Sequence, residues 1–195
     1  MEIPEIILAS SSKYRRELLQ RLIPSFRSLS PEVDESSFHS PTVSPDDLAT
    51  QLAFEKASVI ARQHPDALVI GSDQLVDLDD RVLGKPGTEE AAVSQLMVMT
   101  GRSHRLLTAV CVLGPNRQAA TFINETVLHM RPLSRSEAER YVQRDQPLDC
   151  AGSYRIESLG IALFDRIDTN DFTAIMGLPL MQLGLVLRQF GIAVP

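Results

Sequence analysis

Cysteine is scarce in this chain, with only Cys111 and Cys150 among 195 residues. They lie far apart in no CxxC pattern, which excludes a disulfide framework and a cysteine-rich zinc site and leaves two reduced thiols. Long apolar runs are missing as well. No stretch of about 18 apolar residues occurs, as a membrane span would need, and the opening MEIPEIILAS has no basic n-region and too short an apolar run for a signal peptide. A cytoplasmic protein with no membrane partner is expected. Basic charge is not in excess: the formal net charge is −6, without the basic face that duplex-binding proteins display. Any anionic partner should be small and held by local cations or a metal. The usual phosphate signatures are also absent. Neither GxGxxG after the first strand nor GxxxxGK[ST] anywhere supports a dinucleotide fold or a P-loop, and HExxH does not occur.

What remains is an ordinary globular composition, 44% apolar and 23% charged, enough to bury a core within a single domain spanning residues 1–195. EIILAS reads as a buried strand, followed by a Ser-rich turn and a helix from about Lys13 to Leu22. Residues 30–45, SPEVDESSFHSPTVSP, read as a loop. Ser44 and Pro45 make an N-cap and first helical position for a helix ending near His64-Pro65. ALVIGSDQLV reads as a strand that breaks near Gly71-Ser72-Asp73-Gln74, and DLDD before RVLG as a tight hairpin. Thr88 opens a further helix. Residues 104–113 and 118–130 form two long strands around a GPN turn. Ser134 opens a helix to about Arg144, GIALFDRI is a strand, and an apolar helix follows Pro179. Interleaved strands and helices define an α/β class with a mixed sheet flanked by helices.

Several features carry possible chemistry. The turn Ala9-Ser10-Ser11-Ser12, followed by Lys13, Arg15 and Arg16, places free N–H groups and cations at a helix N-terminus, a setting that favours anions. The same turn serves equally as a plain Ser N-cap with a solvated basic first turn. Asp73 follows an apolar strand, where α/β sheets gather ligands, or is simply a turn acid. The acidic run Glu32, Asp34, Glu35 offers oxygen ligands to a hard divalent cation, or a solvated loop. Lys56 and Lys85 are cations in apolar and turn settings. Asp77, Asp79 and Asp80 lack the Gly and Glu of a calcium loop and read as a hairpin turn. The histidines at 39, 64, 104 and 129 show no metal-ligand spacing.

Seven ordered blocks, LASSSKYRRELL, PEVDES, LAFEKA, GSDQ, GKP, LDCAGSYRIESLG and GLPL, resemble the Maf family of nucleotide pyrophosphatases over nearly the whole chain. The resemblance is nearest to its 7-methyl-GTP subgroup. It implies an elongated mixed β-sheet of the Maf and inosine-triphosphatase type with a cleft between two lobes, and a homodimer. The implied activity is hydrolysis of a nucleoside triphosphate to monophosphate and diphosphate with Mg2+ or Mn2+.

By position, the resemblance assigns Asp73, Glu35, Lys56 and Lys85 to catalysis and Glu35 and Asp73 to the metal. Ser10 and Arg15 fall to phosphate binding, and Tyr14, Gln74 and Glu157 to selection of the base. Tyr14 offers a ring face to the positive charge of N7-methylguanine, and Glu157 a double acceptor to its N1–H and exocyclic amine. The chain departs from the subgroup in carrying Tyr14 for its usual Trp and Lys13 for its usual Pro. Within the same reading, dTTP or UTP hydrolysis and a nucleotide-binding regulator of cell division without turnover stay open.

Overall fold

The computed structural model describes residues 4–38, 40, 42–115 and 118–194. His39 and the Asn of the expected GPN turn lie outside them. Among the described residues seven strands form one sheet in the order β2-β1-β3-β5-β6-β7, with β4 on β3. They are β1 (Ile6–Ala9), β2 (Arg27–Leu29), β3 (Leu68–Leu78), β4 (Arg81–Leu83), β5 (Ser103–Leu113), β6 (Ala119–Met130) and β7 (Phe164–Asp168). β1 runs parallel to both β2 and β3, whereas β3–β4 and β6–β7 are antiparallel. The sheet is mixed, as the interleaved pattern implies.

Helices α1 (Lys13–Gln20), α2 (Pro45–Gln63), α3 (Glu89–Met99), α4 (Arg135–Asp145), α5 (Phe172–Ile175) and α6 (Leu180–Gln189) complete it. Their starts follow their caps. Ser12, Ser44, Thr88 and Ser134 each accept a backbone N–H of the first turn, and Ser134 with Glu137 closes a capping box, satisfying donors that a bare helix end leaves open.

The chain divides into two compact units. The first comprises Met1–Asp73, Thr108–Asn124 and Asp171–Pro195; the second comprises Gln74–Leu107 and Glu125–Asn170. The first unit's core joins Ile6, Leu8, Leu18, Leu19, Leu68, Ile70, Val110, Leu178 and Leu183. The second buries Leu96, Met99, Ala138 and Val142 between α3 and α4. It also stacks His104, Tyr154 and Phe164, with ring centroids 4.9 to 5.8 Å apart.

Three expectations are corrected. The strand bearing Asp73 does not break there: β3 continues to Leu78, because past its parallel pairing with β1 it finds an antiparallel partner in β4. The β3–β4 turn is the tight hairpin that DLDD predicts, with Asp79 and Asp80 both at positive φ (53° and 62°), the conformation of a two-residue I′ turn. GIALFDRI is strand only from Phe164; Leu159–Leu163 is a 3-10 turn. Its start folds back, with Ser158 and Gly160 N–H both donating to the Arg155 carbonyl, so these donors cannot join the sheet ladder. Within the loop at 30–45, Glu35–Phe38 winds into a 3-10 turn started by Asp34, whose Oδ1 accepts from Ser36 N–H.

Candidate active site

Register brings the first candidates together. In the parallel pair, Ala9 faces Gly71, so Ser10 and Ser72 follow at the same level and Asp73 is one step further. These positions lie at the carboxyl end of the parallel segment, where α/β folds place ligands. Ser10 is buried, its Oγ accepts Ser12 N–H at 3.1 Å, and its carbonyl accepts Ser28 Oγ at 2.7 Å. The polar turn is thus tied back to β2 before α1 begins.

Helix α2 supplies the next group. Gly71 has no side chain to separate it from α2: a Cβ there would stand 2.4 Å from the Ala53 carbonyl oxygen and 2.7 Å from Ala57 N. Residues 71 and 73 point to one face of the strand, and residues 53, 56 and 57 share one face of the helix. The close approach that Gly71, Ala53 and Ala57 permit therefore delivers Lys56 to Asp73. Lys56 Nζ donates to Asp73 Oδ1 at 2.5 Å and pairs with Glu35 Oε1 at 2.7 Å. Asp73 and Lys56 are buried and Glu35 is half-exposed. The second oxygen of the buried carboxylate, Asp73 Oδ2, has no hydrogen-bond partner among the described residues.

Arg15, from the first turn of α1, is half-buried and donates through Nε to the Gly177 carbonyl at 2.9 Å. Burial pulls its pKa down, and the charges of Asp73 and Glu35 oppose that shift, placing the guanidinium in the field of the same carboxylates. Ser10, Arg15, Glu35, Lys56 and Asp73 accordingly belong to one unit and one neighbourhood. Arg15 and Glu35 are each engaged with a buried group, whereas Lys13, Arg16, Glu32 and Asp34 are exposed, as a solvated first turn and a solvated acid loop would have them.

Tyr14 is half-buried, with the Lys13 ammonium 4.9 Å from its ring centroid. Gln74, Lys85 and Glu157 belong to the second unit. Gln74 continues β3 beyond Asp73, and Lys85 is exposed in the turn after β4. Glu157 is exposed on a segment anchored at both sides: Ser158 Oγ and Arg155 each donate to Asp145 Oδ1, at 2.5 and 3.0 Å. Burial pushes the Asp145 carboxyl up, but the bonds from Ser158, Tyr141 and Arg155 outweigh it and hold it below its ordinary range. Among the described residues, no group of three or more His, Cys, Asp or Glu side chains stands together to hold a metal. No helix among them is long and apolar enough to cross a membrane.

The Gly177 carbonyl is a backbone group that no motif advertises; its trace in the sequence is the GLPL block. Ser72 was legible solely as part of GSDQ.

A buried ammonium thus bridges two carboxylates at the carboxyl end of parallel strands, in the same unit as a half-buried guanidinium and the N-terminus of α1. Residues 5–190 match the model of the Maf-like protein family, and the chain belongs to that family. It is 50% identical to the 7-methyl-GTP pyrophosphatase of Xanthomonas campestris, over 99% of this chain and 100% of that one. It is 49% identical to the 7-methyl-GTP pyrophosphatase of Bdellovibrio bacteriovorus, over 94% and 96%. Among solved structures, a HAM1 protein from Coxiella burnetii superposes with a TM-score of 0.49 at 16% identity, covering 96% of this chain and 100% of that one.

Proposed function

We propose that the protein is a nucleotide pyrophosphatase that hydrolyses 7-methyl-GTP to 7-methyl-GMP and diphosphate. The observation that carries the chemistry is the Glu35–Lys56–Asp73 cluster, with one oxygen of a buried carboxylate left without a partner among the described residues. The choice of nucleotide is supported by near-full-length relatives that bear that activity in their names.

Cleaving a phosphoanhydride demands positioning and charge neutralisation more than covalent help. Arg15 and Lys56 supply positive charge beside the Ser10 turn, whose N–H groups add neutral donors. Lys85 is assigned to the same triphosphate. Glu35 and Asp73 would hold a divalent cation: two hard oxygen ligands, one of them an open buried oxygen, suit Mg2+ or Mn2+, which complete their shells from phosphate and water. When bound, that cation neutralises phosphate charge and makes water a stronger acid. Where the cation leaves Asp73 Oδ2 uncoordinated, that oxygen takes the proton of the attacking water as the water oxygen bonds to phosphorus and the bridge between the α and β phosphates breaks; where the cation holds Oδ2, Asp73 acts as its ligand alone. Tyr14, Gln74 and Glu157 are assigned to the base, Tyr14 through its ring face and Glu157 through its carboxylate.

The test is diphosphate release from 7-methyl-GTP, GTP, dTTP and UTP with and without Mg2+ or Mn2+. The expected result is the highest kcat/KM for 7-methyl-GTP and loss of turnover on chelation. Preference for dTTP or UTP would reject the substrate, and binding of all four without turnover would reject the enzyme.

A further inference from the structure

We infer that the Gly177 carbonyl, held by Ser72, is the positioning group that aims Arg15 at the substrate phosphates. The inference rests on the reading of the site proposed above and extends it to two residues that touch no phosphate in that reading. Two donors converge on this one oxygen: Arg15 Nε at 2.9 Å and Ser72 Oγ at 3.0 Å. Ser72 is fully buried, and its neighbour on β3 is Asp73. Successive strand side chains point to opposite faces, so Asp73 meets α2 on one face of β3 while Ser72 reaches the Gly177 turn on the other. The strand that carries the acid thus also fixes the turn that orients the cation.

The turn has little freedom to move. The peptide joining Gly177 to Leu178 is held at its carbonyl by Arg15 and Ser72, and at its N–H by the Thr173 carbonyl at 3.4 Å. Asp171 accepts Thr173 N–H, Thr173 Oγ1 and Met181 N–H at 2.5 to 2.9 Å. Buried Thr108 donates to the Ala174 carbonyl, and Leu178 is fully buried in the core. Gly177 itself sits at φ +105°, and a Cβ there would lie 3.2 Å from Arg15 Nε. The backbone conformation therefore requires glycine, and a methyl there would press on the Arg15 guanidinium. With Nε committed, the guanidinium plane is set, and its two terminal nitrogens make no hydrogen bond to the described residues. They form the fork that grips two phosphate oxygens at once.

A double-mutant cycle on diphosphate release from 7-methyl-GTP tests this. Ser72→Ala should lower kcat/KM roughly three- to tenfold, and Gly177→Ala by roughly 10²-fold, the scale of a misplaced catalytic contact. In an Arg15→Lys background each should cost less than about twofold, because lysine has no Nε–H for the carbonyl to hold. Additive losses, or no loss in either single variant, would overturn the inference. Should Gly177→Ala fail to fold, the Ser72→Ala arm decides by the same criterion. If Arg15→Lys itself retains wild-type kcat/KM, the reading of Arg15 as a phosphate ligand falls and this inference with it; an impaired Arg15→Lys with an additive cycle removes the inference alone.

Discussion

Asp73 divides its work between two oxygens. Oδ1 takes the Lys56 ammonium, and Oδ2 is buried without a partner among the described residues. An amide in its place keeps the shape but loses the charge that attracts a cation and the basicity that accepts a proton. Asp73→Asn is therefore expected to lower kcat by roughly 10²-fold or more, while calorimetry still detects nucleotide binding. Wild-type turnover would remove Asp73 from the chemistry. At Tyr14, proposed above to face the base, the Lys13 ammonium already sits over the ring. A cation over an exposed ring is worth about 0.5–1 kcal/mol, and Lys13 both competes for that face and repels a positively charged base. Lys13→Ala should raise the ratio of kcat/KM for 7-methyl-GTP over GTP by about two- to fivefold, the same energy expressed as a rate ratio. Phosphate attraction cancels in that ratio, so a fall would place base recognition away from Tyr14.

At the scale of elements, the contact between α2 and β3 sets the site. Gly71→Ala would push a methyl into the Ala53 carbonyl and the Ala57 backbone, and neither can swing aside as a flexible side chain would. Overpacking of this kind costs about 1–3 kcal/mol. The larger effect should be on turnover, because a shifted α2 withdraws Lys56 from Asp73. Denaturant unfolding should show a lower midpoint and the assay a fall in kcat beyond what the unfolded fraction explains; wild-type kcat in the folded protein would separate the Gly71 contact from the site. The bounds of α2 were legible in the sequence because Ser44, Pro45 and the closing His64-Pro65 are local signals. The three-residue β2 was not legible, since it is held by pairing with β1 and not by a local pattern, and the Leu159–Leu163 turn was misread as strand because its apolar residues say nothing of the Arg155 carbonyl they fold around. The convergence of Glu35, Lys56 and Asp73 was legible by resemblance. No local spacing relates a loop acid, a helix lysine and a strand acid, and only the sheet register makes them neighbours.

Across the molecule, one group links stability to pH in a window of its own. His104, in the second unit, is buried and its pKa is lowered from 6.5 to about 4, first by burial and then by the nearby His129 charge. Its Nε2 meets the Tyr154 hydroxyl at 3.0 Å and its Nδ1 has no partner among the described residues, so the neutral ring is the form that the fold accepts. Between pH 6.5 and 4 the unfolded chain binds a proton that the folded one refuses. Stability must therefore fall as pH drops through that window, and it levels once the folded ring also protonates. The loss is on the order of 3 kcal/mol. Carboxylates held below their usual range act elsewhere: Glu137, lowered from 4.5 to about 2 by its capping bonds to Ser134, contributes stability that is lost only as pH falls below 4.5. Asp145 and Asp168 also have lowered values, from 3.8, and act lower still. Melting temperature followed from pH 7 to 4 should decline in the wild type and decline much less in His104→Phe. That variant also strips a partner from the Tyr154 hydroxyl, which lowers its stability at every pH, so the slope and not the level is diagnostic. Equal slopes in the two proteins would mean that His104 takes up its proton as readily folded as unfolded.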